Sequence, residues 1–173
     1  LVRGCWVLCR VAPAPGAAQV PKIDGLCNVR FPEDHGPHPE HLIEWWYYTG
    51  NLATQEGRAF GFELTFFRSR MPADSAQPRP QPASAWRTDQ VWAAHFALSD
   101  IDAKAFHQSE RILRGAMGLS GAYRQDDIWR FNVRDWTVAL GPDLQSLQAE
   151  TGDMGLSLDM RPTKGPILHG QGG

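Results

Sequence analysis

The stretch HLIEWWYYTGNL, residues 41–52, places four large aromatic side chains in a row directly behind an acidic residue. Successive side chains of a β-strand point to opposite faces, so Trp45 and Tyr47 face one way and Trp46 and Tyr48 the other. An antiparallel strand with one side in water usually shows a polar face, which this stretch lacks. The stretch therefore predicts a strand that is buried on both sides, or one whose second face meets something apolar.

Length and charge narrow the class of protein. The chain has 173 residues, a formal net charge of -2 and no run of Lys and Arg. One domain of this length can bury a substantial core. Nucleic acid is not expected as a partner, because its binding relies on a basic surface. No transmembrane segment is predicted either, since no stretch approaches the roughly 20 uninterrupted apolar residues that a spanning helix needs.

The first part of the chain, residues 1–27, is rich in Pro, Gly and Ala. Its beginning is similar to an export signal, although Arg10 interrupts the apolar part. We expect a leader that is signal-derived or disordered, and an exported protein, periplasmic or secreted. The leader holds all three cysteines, Cys5, Cys9 and Cys27. An odd number cannot form a closed disulfide framework, so we interpret them as incidental thiols.

Short strand candidates separated by turn residues fill the rest of the chain. The clearest alternates two sets of side chains: Phe60, Phe62, Leu64 and Phe66 share one face, and Gly61, Glu63, Thr65 and Phe67 share the other. Turns are predicted around Gly57 and in the segments 100–102, 141–143 and 152–153. The predicted strands are Glu44–Leu52, Arg58–Arg68, Gln90–Ser99, Ile128–Trp136, Thr137–Leu140 and Leu156–Arg161.

Two segments break the series of strands. Residues 71–86 carry Pro72, Pro78, Pro80 and Pro82, which resist both helix and sheet, so a loop is predicted. Residues 104–121 are the best helix candidate, but three glycines interrupt them, so they are either a short helix or an irregular segment that links strands.

Many short strands and few helices predict an all-β, antiparallel barrel or sandwich. The predicted strands are few for closure of a barrel, so we expect an incomplete one. Three tryptophans are expected either to fill the core or to close one end of a barrel: Trp86, Trp129 and Trp136.

Four segments resemble a known family. EWWYYTGNL at residues 44–52, FGFELTFFRS at 60–69, AHFALSD at 94–100 and ERILRGAMGLSG at 110–121 are similar to the N-terminal half of the AttH-like family. This family is also called the hydroxyneurosporene synthase or carotenoid 1,2-hydratase (CrtC-type) family, and many members are labelled secreted hydrolases. The resemblance spans roughly residues 30–170.

The resemblance implies a lipocalin-like (calycin-type) fold, with two such domains in complete members. Residues 28–173 would then be the N-terminal domain, with the second domain of the family absent from this sequence. The family includes hydratases that add water to a carotenoid double bond, and AttH-like members are associated with transporter components. The catalytic motifs of the hydratases have no match here, so the resemblance assigns no catalytic residue.

Two acidic residues are candidate proton donors by their place in the pattern. Glu44 shares one face of its strand with Trp46 and Tyr48, and Glu63 shares one face of the next strand with Thr65. If the hairpin turned both faces inward, a carboxylate would lie among aromatic rings, where burial favours its protonated form. The alternative is that Glu44 or Glu63 pairs with Arg68, Arg58 or a backbone amide, a structural role.

His95 is the third catalytic candidate. It shares its strand face with Ala93 and Ala97, which leave room for a ligand beside the imidazole. The alternative is a hydrogen-bonded structural histidine. Ligand contacts are predicted for the aromatic strand and its neighbour, namely Trp45, Trp46, Tyr47, Tyr48 and Thr65.

The histidines before the first aromatic strand, His35, His38 and His41, have the spacing H-x2-H-x2-H. Pro37 and Pro39 leave neither a helix face nor a strand face on which three ligands could converge on a zinc ion, so no metal site is predicted. No phosphate-binding glycine loop, dinucleotide fingerprint or G-x-S-x-G elbow occurs in the sequence, and no cofactor is predicted.

These patterns leave two functions open. The first is a lipocalin-like module that binds an apolar small molecule, a lipid or polyene, in a barrel cavity lined by aromatic rings. The second is a hydratase, a carbon–oxygen lyase, in which Glu63, Glu44 or His95 protonates an isoprenoid or carotenoid double bond. A solidly packed interior would instead indicate a protein that acts through its surface.

Overall fold

The computed structural model describes residues 3–6, 30–71, 86–152, 154–165 and 167, with only the backbone of 3–6. The described residues form ten β-strands and one short 3-10 helix, Glu33–His35. The strands make two five-stranded antiparallel sheets, and neighbours in sequence are neighbours in each sheet. The predicted all-β antiparallel class is confirmed. Among the described strands the architecture is an open sandwich, not a closed barrel.

The first sheet has the order β1-β2-β3-β4-β5. The β2–β3 hairpin turns where predicted, at Gly57, whose φ of +89° is left-handed. The β4–β5 hairpin turns at residues 101–104, where the Asp100 carboxylate accepts a hydrogen bond from the Ala103 N–H at 3.0 Å. The strands are β1 (Arg3–Trp6), β2 (Ile43–Ala53), β3 (Ala59–Arg70), β4 (Gln90–Asp100) and β5 (Ala105–Arg114).

The second sheet has the order β10-β9-β8-β7-β6. Left-handed residues at its tight turns include Asp126, Asp127 and Arg134, and the turn after β9 contains Gly152 with φ +57°. The strands are β6 (Ser120–Gln125), β7 (Ile128–Val133), β8 (Trp136–Leu140), β9 (Gln145–Thr151) and β10 (Met154–Met160).

The two sheets share one apolar core. Trp46 lies 5.7 Å from the ring of Trp92 and 4.5 Å from that of Phe131, which joins the first sheet to the second. The Trp136 ring meets Phe96 edge-on at 5.8 Å. The Arg111 guanidinium of β5 lies over the Trp136 ring, 4.2 Å from its centroid, so a cation covers the edge of the core.

The predicted helix at residues 104–121 is wrong. Residues 105–114 are a regular strand, β5, paired with β4 from Val91↔Arg114 to Asp100↔Ala105. The irregular linking segment that was the alternative begins only after Arg114. The turn at residues 101–104 sends the chain back along β4, and that pairing overrides the local helix propensity.

Two further details of the second sheet differ from the predicted strands. Residues Ile128–Trp136 form not one strand but parts of two, because the chain turns at left-handed Arg134. Strands β6 and β9 have no counterpart among the predicted strands; in β9 only Leu147 and Ala149 mark the buried face.

The tryptophans expected in the core have different positions. Trp136 is fully buried in the core, and Trp129 is partly buried against it. Trp86 is 58% exposed, so its predicted burial is wrong. The predicted leader and the proline-rich loop lie outside the described residues, apart from the backbone of residues 3–6 and the loop's end residues Met71 and Trp86.

Candidate functional site

The four aromatics of β2 divide between two environments. Trp46 and Tyr48 are 3% and 5% exposed and belong to the core between the sheets. Trp45 and Tyr47 are half-buried and lie on the opposite side of the first sheet, which we call the outer face. Only one aromatic face of β2 therefore packs against the second sheet, and the rings of the other face lie at the surface of the first sheet.

Glu44, a predicted catalytic residue, lies on the core side in a buried ion pair. Its Oε2 accepts a hydrogen bond from Nε of Arg68 at 2.7 Å and lies 2.6 Å from Nη2. Arg68 is fully buried, and its Nη2 also donates to the carbonyl oxygens of His38 and His41, at 2.6 and 2.8 Å. Nη1 of Arg68 is buried with no hydrogen-bond partner among the described residues. Glu44 thus has the structural partner that the sequence left open as the alternative.

The same carboxylate fixes the segment before β2, residues 30–42, which we call the anchored segment. The backbone N–H of His38 donates to both Glu44 oxygens, at 2.8 and 3.0 Å. The His38 ring lies between Glu44 and Asp34, with Nδ1 2.8 Å from the first and Nε2 3.1 Å from the second. Trp46 also holds the anchored segment in place, because its Nε1 donates to the His35 carbonyl at 2.9 Å.

Three ionisable groups of the anchored segment have shifted pKa values. Burial alone would lower the pKa of His38, but the hydrogen bonds and charges of Asp34 and Glu44 outweigh it and raise that pKa. Burial lowers the pKa of His35, against the nearby charge of Asp34. For Asp34, burial is opposed by the Arg30 N–H and by His38, and the net pKa is lowered. The interaction of His38 with its two carboxylates therefore favours the imidazolium form.

Glu63 and Thr65 do not face Glu44. Across the hairpin Glu63 pairs with Thr49 and Thr65 with Tyr47, so both lie on the outer face. The hydroxyl of Thr65 donates to Glu63 Oε1 at 3.1 Å. The idea that the hairpin turns Glu44 and Glu63 to one interior is wrong, because their positions have opposite parity in the ladder.

His95 also lies on the outer face, directly opposite Thr65 on β4. Its side chain is 49% exposed; its ring lies 4.8 Å from Phe67, and its Nε2 is 3.7 Å from Oε2 of Glu110. Glu63 and His95 are diagonal neighbours, a relation that places Cα atoms about 7–8 Å apart in a sheet. The structure brings these two catalytic candidates to one surface and leaves the third, Glu44, behind the sheet.

The outer face is divided into apolar and polar rows. One row across four strands is Trp45–Phe67–Ala93–Ile112, and the exposed fraction of Ile112 is 65%. The next two rows are mixed or polar, Tyr47–Thr65–His95–Glu110 and Thr49–Glu63–Ala97–Gln108. Phe67 and Ile112 are not among the residues predicted from sequence, although the alternation of β3 already placed Phe67 beside Thr65.

The histidines of the anchored segment do not converge on one point. His38 and His41 stack with ring centroids 5.4 Å apart, whereas the His35 ring lies tilted against that of Phe31, with centroids 4.3 Å apart. In the part of the chain that the structure describes, no group of three or more His, Cys, Asp or Glu side chains is arranged to hold a metal ion.

Two depressions lie outside the core. One, of about 600 Å³, is on the outer face of the second sheet and is lined by residues of β6 to β10. The other, of about 440 Å³, lies near Pro37 and Trp92, beside the loop between β5 and β6. None of the predicted site residues lines either of them.

The fold and the site define a class, an antiparallel lipocalin-like domain with an aromatic outer face. Residues 22–173 match the family model described as AttH-like, so the chain belongs to the AttH-like family. It is also similar to a crystal structure of a protein named as a candidate AttH, from Nitrosomonas europaea. The two are 29% identical with a TM-score of 0.66, over 90% of this chain and 43% of the other. This chain thus spans less than half of that relative.

None of the curated proteins compared with the chain matches it. The described residues include no helix with the length and hydrophobicity that a membrane span requires.

Proposed function

We propose that this AttH-like domain binds an apolar small molecule, a lipid or polyene, on the outer face of the first sheet. The observation that supports this is the separation of the aromatic pairs in β2: Trp46 and Tyr48 are used by the core, whereas Trp45 and Tyr47 remain at the surface. The binding surface proposed is this outer face, and not the barrel cavity expected from the sequence.

The arrangement of rows suits an amphiphilic ligand. A hydrocarbon chain would lie along Trp45, Phe67 and Ile112, which form one apolar row. Covering apolar surface contributes about 25 cal/mol per Å². The polar end would reach His95 and Glu63, next to the small side chains of Ala93 and Ala97. Affinity would come mainly from the apolar row and orientation from the polar groups.

Fluorescence titration tests binding directly. We expect oleic acid and the polyene cis-parinaric acid to quench tryptophan emission saturably. The variant Trp45→Ala is expected to weaken affinity by roughly tenfold, which corresponds to about 1.4 kcal/mol of lost apolar contact. The matched control is Tyr123→Ala, which removes an exposed aromatic ring from the other sheet. An absence of saturable binding, or an equal loss in both variants, would contradict the proposal.

A second candidate function is hydration of an isoprenoid or carotenoid double bond on the same face. It is favoured by the common surface of Glu63 and His95 beside the rings of Tyr47 and Phe67. A protonated Glu63 would transfer its proton to one alkene carbon, and aromatic faces would stabilise the carbocation. Water would add to that cation, and its surplus proton would return to the Glu63 carboxylate, with His95 as the relay.

The two candidates are separated by product analysis. Wild-type protein is incubated with an acyclic carotenoid, and tertiary alcohols are measured by mass spectrometry. Hydration predicts an alcohol product that is lost in Glu63→Gln while ligand quenching is retained. If binding is saturable and the amount of carotenoid does not change, the binding function is supported and the hydratase function is excluded.

The proposal includes export of the protein from the cytoplasm and its association with a transporter. A protein that carries apolar molecules would deliver its ligand to a membrane system.

A further inference from the structure

The outer face of the second sheet carries a polar groove that the proposed function does not use. It is the depression of about 600 Å³, and all five strands β6 to β10 contribute to it. The volume falls within the range of about 300–1,000 Å³ that is usual for small-ligand sites. This groove and the aromatic outer face belong to different sheets, so the two sites are independent.

Two rows of side chains shape the groove. The first is Tyr123–Arg130–Ala139–Ser146–Asp159, and the second is Asn132–Thr137–Gln148–Ser157. The central strand β8 contributes the shortest side chains, whereas β7 on one side carries longer ones. The groove therefore follows β8, and polar groups line both of its sides.

Several polar groups in the groove have spare hydrogen-bonding capacity. The side chains of Arg130, Thr137 and Gln148 make no hydrogen bond or ion pair with any described residue. Ser146 donates to Asp159 Oδ1 at 2.6 Å, which orients that carboxylate. Asn132 donates through Nδ2 to the Gly118 carbonyl at 3.0 Å, and its amide oxygen stays available as an acceptor.

The hydrogen-bond donors and acceptors of the groove indicate the chemical class of ligand that fits it. Amides and hydroxyls that both donate and accept fit a polyol, whose hydroxyls do the same. The Tyr123 ring, 52% exposed, offers a flat apolar surface for the C–H face of a sugar ring. The guanidinium of Arg130 presents a planar pair of donors that fits a carboxylate. A nucleic acid would need more cations along its backbone than the two, Arg130 and Arg134, that line the groove.

We propose that the groove along β8 binds an acidic oligosaccharide, with Arg130 on a uronic carboxylate and Tyr123 under a sugar ring. An added peptide strand fits less well, because β8 lies inside the sheet and its backbone groups already pair with β7 and β9 on either side.

Isothermal titration with trigalacturonate tests the site, and maltotriose is the neutral counterpart. We expect saturable binding of trigalacturonate, weakened at least tenfold in Arg130→Gln and several-fold in Tyr123→Ala. The matched control is Arg124→Gln on the same hairpin. Arg124 pairs with Asp127 at 2.9 Å and does not line the groove, so affinity should be unchanged.

The results that would contradict the saccharide site differ from those that would contradict the proposed lipid site. If neither saccharide binds, or if Arg124→Gln and Arg130→Gln lose affinity equally, the groove is not the site. If maltotriose binds as tightly as trigalacturonate and Arg130→Gln has no effect, the acidic class of ligand is wrong. Oleic acid quenching is followed in the same variants and should not change.

Discussion

The two faces of the β2–β3 hairpin present a direct contrast, because the same two strands supply a glutamate and aromatic rings to each. On the core side, Glu44 is 5% exposed and pairs with the fully buried Arg68. On the outer face, Glu63 is half-buried and accepts a hydrogen bond from the hydroxyl of Thr65. One carboxylate is neutralised by a cation, whereas the other lies at a surface that a ligand can reach.

Proximity to aromatic rings in the sequence does not by itself identify a catalytic acid. Sequence proximity to Trp46 and Tyr48 suggests a perturbed acid at Glu44, but a buried carboxylate without a cation is too costly to persist. The core therefore supplies Arg68. The carboxylate available for ligand binding or chemistry is the one that the core does not use.

The largest effect is expected from breaking the buried pair. Replacing Arg68 by Leu leaves Glu44 buried without its cation, which costs about 3–5 kcal/mol of unfolding free energy. Urea denaturation measures it. Arg70→Leu is the control, since Arg70 donates one exposed hydrogen bond to Pro39, and should cost less than about 1 kcal/mol. A similar small loss in both variants would show that Glu44 reaches solvent when Arg68 is removed.

The aromatic pairs of β2 should differ in the next largest effect. Trp46→Ala removes a core side chain that contacts both sheets and should cost about 3 kcal/mol. Trp45→Ala removes a ring from the outer face, where a cross-strand pair is worth at most about 1 kcal/mol. Thermal unfolding of the two variants under one set of conditions gives the difference. Equal destabilisation would mean that something packs on the outer face as tightly as the core does.

A smaller effect is expected where the anchored segment meets the second sheet. A Cβ at Gly36 would lie 2.1 Å from the ring of Trp129, so Gly36→Ala must displace the segment or the ring. Such overpacking costs about 1–3 kcal/mol. Gly165→Ala is the control, because a Cβ there meets nothing within 4 Å. Measured by urea denaturation, a Gly36→Ala variant as stable as Gly165→Ala would contradict this packing.

The smallest effect is a pH dependence of the core-side network. The folded pKa of His38 is raised, so its contribution is complete below the unfolded value of about 6.5 and is lost as pH rises through the folded pKa. The side chain is 32% exposed, so solvent screening limits the effect to at most about 1 kcal/mol. His41, Asp34, Glu44 and Arg68 are the charged or titratable groups around it.

Melting temperatures between pH 6 and pH 8.5 test this dependence. His38→Gln should remove the fall in stability on the alkaline side, whereas the exposed His107→Gln should keep it. Parallel profiles for His38→Gln and the wild type would show that His38 is not responsible.

Much of the first sheet could be predicted from sequence because its strands alternate strongly. The predicted bounds of β2, β3 and β4 differ from the observed ones by at most two residues. The prediction for residues 104–114 was wrong, because their local composition favours a helix and only pairing with β4 makes them a strand. In β9 the alternation is weak, because two small or medium apolar residues are too few to mark a strand.

The all-β class and the division of β2 into two aromatic faces follow from local sequence, because the two-residue period of a strand is a local property. The family follows from the resemblance of several short segments of the chain. Three facts are visible only in the folded chain: which face of β2 is buried, that Glu44 pairs with Arg68, and that Glu63 and His95 share a surface. These facts depend on strand register and on the packing of one sheet against the other. Register joins residues far apart in the chain, and no local pattern specifies it.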